Sequence, residues 1–211
     1  MNPTLYDAWY DTPRGRWIGK TEYRLAEREL ALRPDARVLD VGCGTGWFTR
    51  RLARRGNMEV TAIDIDSEWL EYARSRDCHS RYIRADALAL PFADNSFDAV
   101  LSIAALCFTS SWQKAAGEIV RVCRGRFAIG MLNRHSLLWY EKGRNGGQGA
   151  QWVDAEELLN GLAGLPVNNP RVCSAVFLPS GSLSARGMER LIPNRLAFGG
   201  IMLLTGEKSR F

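Results

Sequence analysis

Apolar residues along this chain switch between a helical and an extended period in a regular way. Across residues 21–32, Leu25, Ala26, Leu30 and Ala31 recur at helical spacing, which predicts an amphipathic helix that stops before Pro34. Residues 37–41 form a short apolar run and read as a buried strand. Residues 47–55 return to helical spacing through Phe48, Leu52 and Ala53. A second strand is predicted over 59–63, closing on Asp64, with Ser67 as N-cap of a helix to about Arg76. A third strand, 81–84, closes on Asp86. The turn-forming Ala93-Asp94-Asn95-Ser96 introduces a fourth over 97–103. A helix over 112–122 and a fifth strand over 126–132 complete the regular part.

Strand and helix alternate throughout this stretch, which predicts a parallel sheet with helices on both faces. Beyond Asn133 the pattern loosens. Residues 143–149 hold four glycines and read as a mobile loop, and 154–162 as a short helix. Late strands are expected over 172–178 and 200–204, with only a short helical turn within 180–194. The division expected is one domain: an N-terminal cap over 1–35, a core over 36–132, an acceptor-site region over 133–195 and a closing strand within 196–211.

The chemistry gathers where the first strand ends. Gly42, Gly44 and Gly46 follow it directly, and in an open α/β sheet that turn faces the ligand crevice. A dinucleotide fingerprint needs Gly or Ala where Trp47 stands, and a Walker loop needs a lysine that is missing. Asp64 closes the second strand eighteen residues after Gly46, where a carboxylate can accept both hydroxyls of a ribose. Asp86, after the third strand, is placed to accept from an adenine amino group. Two acids ending successive strands behind one glycine turn carry more than either feature alone.

The run Val38-Leu39-Asp40-Val41-Gly42-Cys43-Gly44-Thr45-Gly46 resembles motif I of class I S-adenosylmethionine-dependent methyltransferases. Ala85-Asp86-Ala87, Leu90-Pro91-Phe92 and Ser96-Phe97-Asp98-Ala99-Val100 resemble the later motifs of that family. The nearest subgroup is the broad type 11 group, with quinone-biosynthesis C-methyltransferases and many small-molecule enzymes. The likeness is strong over 36–132 and weaker over 6–28. It implies a Rossmann-like, seven-stranded, mostly parallel sheet with an N-terminal helical cap and an irregular insertion after the fifth strand. It further implies S-adenosyl-L-methionine as cofactor, held by Gly42, Cys43, Gly44, Asp64, Ile65, Asp86, Ala87 and Ser102. One departure is Arg124-Gly125-Arg126, standing where many members have a Lys-Pro-Gly-Gly turn remote from the ligand.

Acceptor residues are sought at the same sheet edge. Tyr10, Phe108 and His135 are the candidates; His135 is read either as a base for a hydroxyl or as a surface-loop residue. The aromatic group Tyr6, Trp9, Tyr10 and Trp17 either closes over the cofactor or packs against the sheet. Enzymes of this fold that methylate base amines carry an Asn/Asp-Pro-Pro-aromatic stretch after the fourth strand. Here Ser102-Ile103-Ala104-Ala105-Leu106-Cys107-Phe108 stands there, which favours a carbon, oxygen or sulfur nucleophile on a fairly apolar small molecule. The rival readings are an NAD-dependent oxidoreductase and a catalytically silent cofactor- or partner-binding protein.

Composition changes this picture little. The net charge is +5, but the one dense group, Arg50, Arg51, Arg54 and Arg55, reads as a solvated helix face, so a nucleic-acid partner is not expected. Five scattered cysteines without a Cys-x-x-Cys pair read as reduced core thiols, and no metal site is expected. No run approaches the ~20 apolar residues of a membrane span, and no signal peptide is evident. A cytoplasmic location is therefore expected.

Overall fold

The computed structural model describes residues 2–143 and 149–209. Two helices open the chain. α1 (Pro3–Trp9) is capped by Asn2, whose Oδ1 accepts from the Thr4 amide at 2.8 Å. α2 (Pro13–Leu30) is capped by Thr12, which accepts from the Gly15 amide at 3.0 Å. The periodicity had placed the start of this helix at residue 21. Pro13 directly after a Thr cap is a start signal, because the first turn leaves its amides unpaired anyway. Ala31, in the left-handed conformation with φ 46°, ends α2 before Pro34.

The core then alternates as β1 (Arg37–Val41), α3 (Trp47–Ala53), β2 (Glu59–Asp64), α4 (Ser67–Ser75), β3 (Arg81–Arg84), β4 (Phe97–Ile103), α5 (Trp112–Val122) and β5 (Cys123–Asn133). Asp66, not Ser67, caps α4: its carboxylate accepts from the Glu68 amide at 2.9 Å, while Ser67 is the first helical residue. β5 starts at Cys123 with no turn after α5. Gly125 stands where the β4–β5 register shifts, and a Cβ there would collide with the Asp98 carbonyl. The last part runs α6 (Leu137–Lys142), β6 (Trp152–Val153), α7 (Ala155–Asn160), β7 (Val167–Ala175), α8 (Leu183–Glu189) and β8 (Ile201–Lys208). The glycine-rich stretch expected over 143–149 lies mostly outside the described residues.

The strands are ordered β3-β2-β1-β4-β5-β8-β7, with β6 pairing β5 beside this path. β8 is antiparallel to both neighbours, and the other pairings are parallel. The expected seven strands are thus joined by an eighth, β6, whose two residues are too few to leave a periodic signal. The region over 180–194, expected to hold only a turn, forms the seven-residue α8.

Alternate strand residues divide between the two faces. Leu39, Val100, Phe127, Ile129 and Met131 pack with Ala115 and Ile119 of α5 and Leu158 of α7. Val38, Val60, Leu101 and Ala128 pack with Leu25 and Ala26 of α2 and Leu52 of α3. The chain moves outward from β1 to β3, then returns to place β4 on the other side of β1. Strand order reverses there, so a crevice opens beyond the carboxyl ends of β1 and β4.

Candidate active site

The turn after β1 is held by its own backbone. The amides of Gly42 and Cys43 both donate to the Ile63 carbonyl, at 2.8 and 2.9 Å, and Gly46 donates to Cys43 at 2.9 Å. Gly42 and Gly44 have φ of 72° and 53°, where an L side chain is strained. A Cβ on Gly42 would also strike the Ala105 methyl, so the turn lies against the loop after β4.

Carboxylates surround this turn. Asp64 Oδ2 accepts from the Gly44 amide at 2.8 Å and Oδ1 from the Asp66 amide at 3.1 Å. Each oxygen keeps a lone pair for a further donor. Asp86 is exposed, and its Oδ1 accepts from the Leu88 amide at 2.9 Å. Asp40 is buried at the end of β1 and accepts from Thr49 Oγ1 at 2.6 Å. Burial pushes its carboxyl up to about 7; the Thr49 bond opposes that rise and Asp64 adds to it.

One cleft of about 710 Å³ joins these groups. Gly42, Cys43, Gly44, Asp64, Ile65, Asp86 and Ala87 all line it. So do Tyr10, beneath its N-terminal wall, and Phe108, exposed at its rim. Two candidates lie elsewhere. Ser102 is fully buried in β4 with its hydroxyl unpartnered, and of β4 only Ile103 lines the cleft. His135 is an exposed residue after β5, outside the cleft wall. Tyr6, of the N-terminal aromatic group, lines the cleft too, and so do Asp40, Asp66 and Trp69, which were not singled out. Asp40 stands inside the recognised motif, so its signal was present; Trp69 arrives only through packing.

The N-terminal segment is fastened to the turn by a buried ion pair. Arg50 reaches Asp7 of α1 at 2.8 Å and also donates to the Thr45 carbonyl at 2.5 Å. Thr45 Oγ1 and the Tyr72 hydroxyl donate to Asp7 as well, at 2.8 and 3.2 Å. Arg50 therefore does not belong to a solvated face: it is buried, whereas Arg54 and Arg55 are exposed. The fastening sets Tyr6 edge-on to Trp69, with ring centres 5.1 Å apart, and stacks Tyr10 on Trp47 at 4.4 Å. Burial raises both phenols, so Tyr6 and Tyr10 stay protonated donors at neutral pH. Trp9 and Trp17 lie outside the cleft. Burial likewise raises the Cys43 thiol and pushes that of Cys107 up to about 12.

Among the described residues, 133–195 contribute nothing to the cleft wall. Their contact is indirect. The Gln151 amide donates to the Cys107 carbonyl at 2.7 Å and its side chain to the Thr109 carbonyl at 2.6 Å, bracing the wall over 106–110.

A glycine turn at the switch point, with acids closing the next two strands, is the arrangement that the resemblance to class I methyltransferases implies. Residues 39–128 match the protein family described as "Methyltransferase domain". The malonyl-[acyl-carrier protein] O-methyltransferase of Erwinia pyrifoliae is 38% identical over 138 residues, which are 62% of this chain and 48% of that protein. The chain thus spans about half the length of the curated relatives it matches. Among solved structures, a SAM-dependent methyltransferase from Thermotoga maritima, described as a possible histamine N-methyltransferase, superposes with a TM-score of 0.77. It is 24% identical, over 98% of this chain and 96% of its own. The [4+2]-cyclase SpnF superposes with a TM-score of 0.66 at 23% identity, over 90% of this chain and 80% of its own. These two likenesses concern the fold.

Proposed function

We propose that the protein transfers a methyl group from S-adenosyl-L-methionine to a carbon, oxygen or sulfur atom of a small, fairly apolar molecule. The observation that carries this reading is the single cleft running from the glycine turn and its carboxylates to a wall of Leu106, Phe108, Tyr6 and Tyr10. The residues present fit the cofactor, because Gly42 and Gly44 keep backbone, not side chain, at the crevice floor. Asp64 receives the ribose hydroxyls on its remaining lone pairs, and Asp86 receives the adenine amino group. Asp40 offers negative charge to the cationic end. The bound cofactor supplies an electrophilic methyl on a sulfonium, which leaves alignment and exclusion of water to the protein.

Tyr6 and Tyr10 hold and orient the acceptor as neutral donors, while Leu106 and Phe108 exclude water. Among the three nucleophile types, the Erwinia relative's name favours oxygen. A carboxylate oxygen is already ionised at neutral pH and needs no base, in keeping with a cleft wall that, among the described residues, has neither histidine nor lysine. Among the described residues, no helix is long and apolar enough to cross a membrane. With the unbonded cysteines, the cytoplasm is the compartment we assign.

Incubating the protein and cofactor with a library of small carboxylic acids, phenols and thiols, and measuring S-adenosylhomocysteine, tests the reading. Acceptor-dependent product supports it. Firm cofactor binding without turnover on any acceptor would favour the catalytically silent alternative.

A further inference from the structure

A second concavity lies between α2 and α8, apart from the cleft. Arg16, Lys20, Arg24 and Arg28 line it from α2, and Arg186 and Arg190 face them from α8 and its C-cap. The α2 cations recur every fourth residue, so they stand about 6 Å apart along the helix and the row runs about 18 Å. Arg186 and Arg190 repeat that spacing. Six cations thus share a groove of about 510 Å³.

The fold does little to neutralise them. Arg16 donates to the Asp11 carbonyl at 2.9 Å, and Arg186 to those of Gly181 and Pro13 at 2.8 and 3.0 Å; all three acceptors are uncharged. Arg28 is ion-paired, with Glu29 at 3.0 Å. Lys20, Arg24 and Arg190 make no side-chain hydrogen bond or ion pair among the described residues. The acid in the groove lining, Glu189, is buried and spends its oxygens on the Val176 and Phe177 amides, at 2.6 and 2.9 Å. Like charges left together in this way create a field that an anionic partner relieves.

We propose that this groove docks an acidic helix of a partner protein. Carboxylates at every fourth position of such a helix have the same rise of about 6 Å as the row on α2. The groove has one aromatic residue in its lining, Trp17, half-buried and with Gly181 against its ring, where a Cβ would stand 3.3 Å away, whereas base stacking wants successive aromatic platforms. Leu183, three residues before Arg186 and so on the same side of α8, is 85% exposed and provides apolar contact area at the groove's edge that suits a protein surface. The site adjoins the cleft along the chain: Tyr10 lines the cleft, and Pro13 lines the groove. A partner docked here sits beside the wall that Tyr10 supports.

The test uses the full chain and a fluorescent, stapled helical peptide with glutamate at successive fourth positions and leucine between them. A lysine version of the peptide and an oligouridylate of equal charge are the comparisons. The acidic peptide binds saturably, and binding weakens as salt shortens the Debye length below about 10 Å. Lys20→Glu/Arg24→Glu/Arg190→Glu weakens it at least about tenfold, with melting temperature and cofactor affinity unchanged. The Lys20→Gln/Arg24→Gln/Arg190→Gln protein gives a smaller loss and carries the comparison if charge reversal impairs folding. No saturable binding of the acidic peptide, equal affinity for the lysine peptide, equal binding by the variants, or tighter binding of the oligouridylate would each overturn the proposal.

Discussion

Asp40 combines burial, one hydrogen bond and a neighbouring carboxylate, and the balance puts its titration near neutrality. A carboxyl raised by burial favours the protonated folded state. Its contribution to stability is therefore full below the ordinary carboxylate range and is lost as pH rises through about 7. A cationic ligand has the opposite preference and binds best to the ionised group. Cofactor affinity should rise between about pH 6 and about pH 8, by at most about tenfold per pH unit, and Asp40→Asn should flatten the rise. A profile unaltered by that substitution would remove Asp40 from the site. For Asp64→Ala we expect cofactor binding weaker by about 1.5–3 kcal/mol, the scale of hydrogen bonds to a charged group, with a smaller loss for Asp64→Asn. Because Asp64 also holds the Gly44 amide, the Ala variant should melt at a lower temperature too. The place of Asp64 and Asp86 in the cleft wall was legible because Asp64 ends β2 and Asp86 stands just beyond β3, where the fold dictates direction. Ser102 and His135 occupied the right stretch of chain, but side-chain direction there depends on pleat and loop geometry that spacing does not encode.

At the scale of elements, the fastening of α1 to the glycine turn decides where Tyr6 and Tyr10 stand. Removing one partner of a buried ion pair strands the other, at a cost of about 3–5 kcal/mol. Arg50→Met should therefore lower the melting temperature sharply, and Asp7→Leu added to it should recover part of the loss. In the folded double variant, methyl transfer should fall more than cofactor affinity, because α1 carries Tyr6 and borders Tyr10 but none of the turn's acids. Thermal melts beside cofactor titration decide this, and an Arg50→Met protein as stable as the parent would contradict it. Helical periodicity could not separate Arg50 from its neighbours, since the partner that buries it lies forty-three residues away in α1. The cationic row on α2 was hidden for a related reason. A helix taken to begin at residue 21 excludes Arg16 and Lys20, so the repeat that links them to Arg24 and Arg28 has no frame.

Across the whole molecule, the alternation over 37–132 was legible because short buried strands and amphipathic helices leave opposite periods in the sequence. The later part was less so: β6 is two residues long, and β7 carries polar residues that break its apolar run. For the expected division of labour, with 133–195 shaping the acceptor site, the described residues offer one handle, the brace that Gln151 makes to the cleft wall. Gln151→Ala should raise the acceptor's Michaelis constant while leaving cofactor affinity unchanged, as steady-state kinetics beside titration would show; an unchanged constant would mean that the brace is dispensable. On the proposed function, the cleft beyond β1 and β4 receives S-adenosylmethionine. Calorimetric titration of the full chain with the cofactor tests it most directly, with NAD titrated in parallel. The account predicts saturable micromolar binding of S-adenosylmethionine, about −8 kcal/mol, abolished by Gly44→Val in a protein that still melts cooperatively. Selective binding of NAD, or no saturable heat with S-adenosylmethionine, would contradict it.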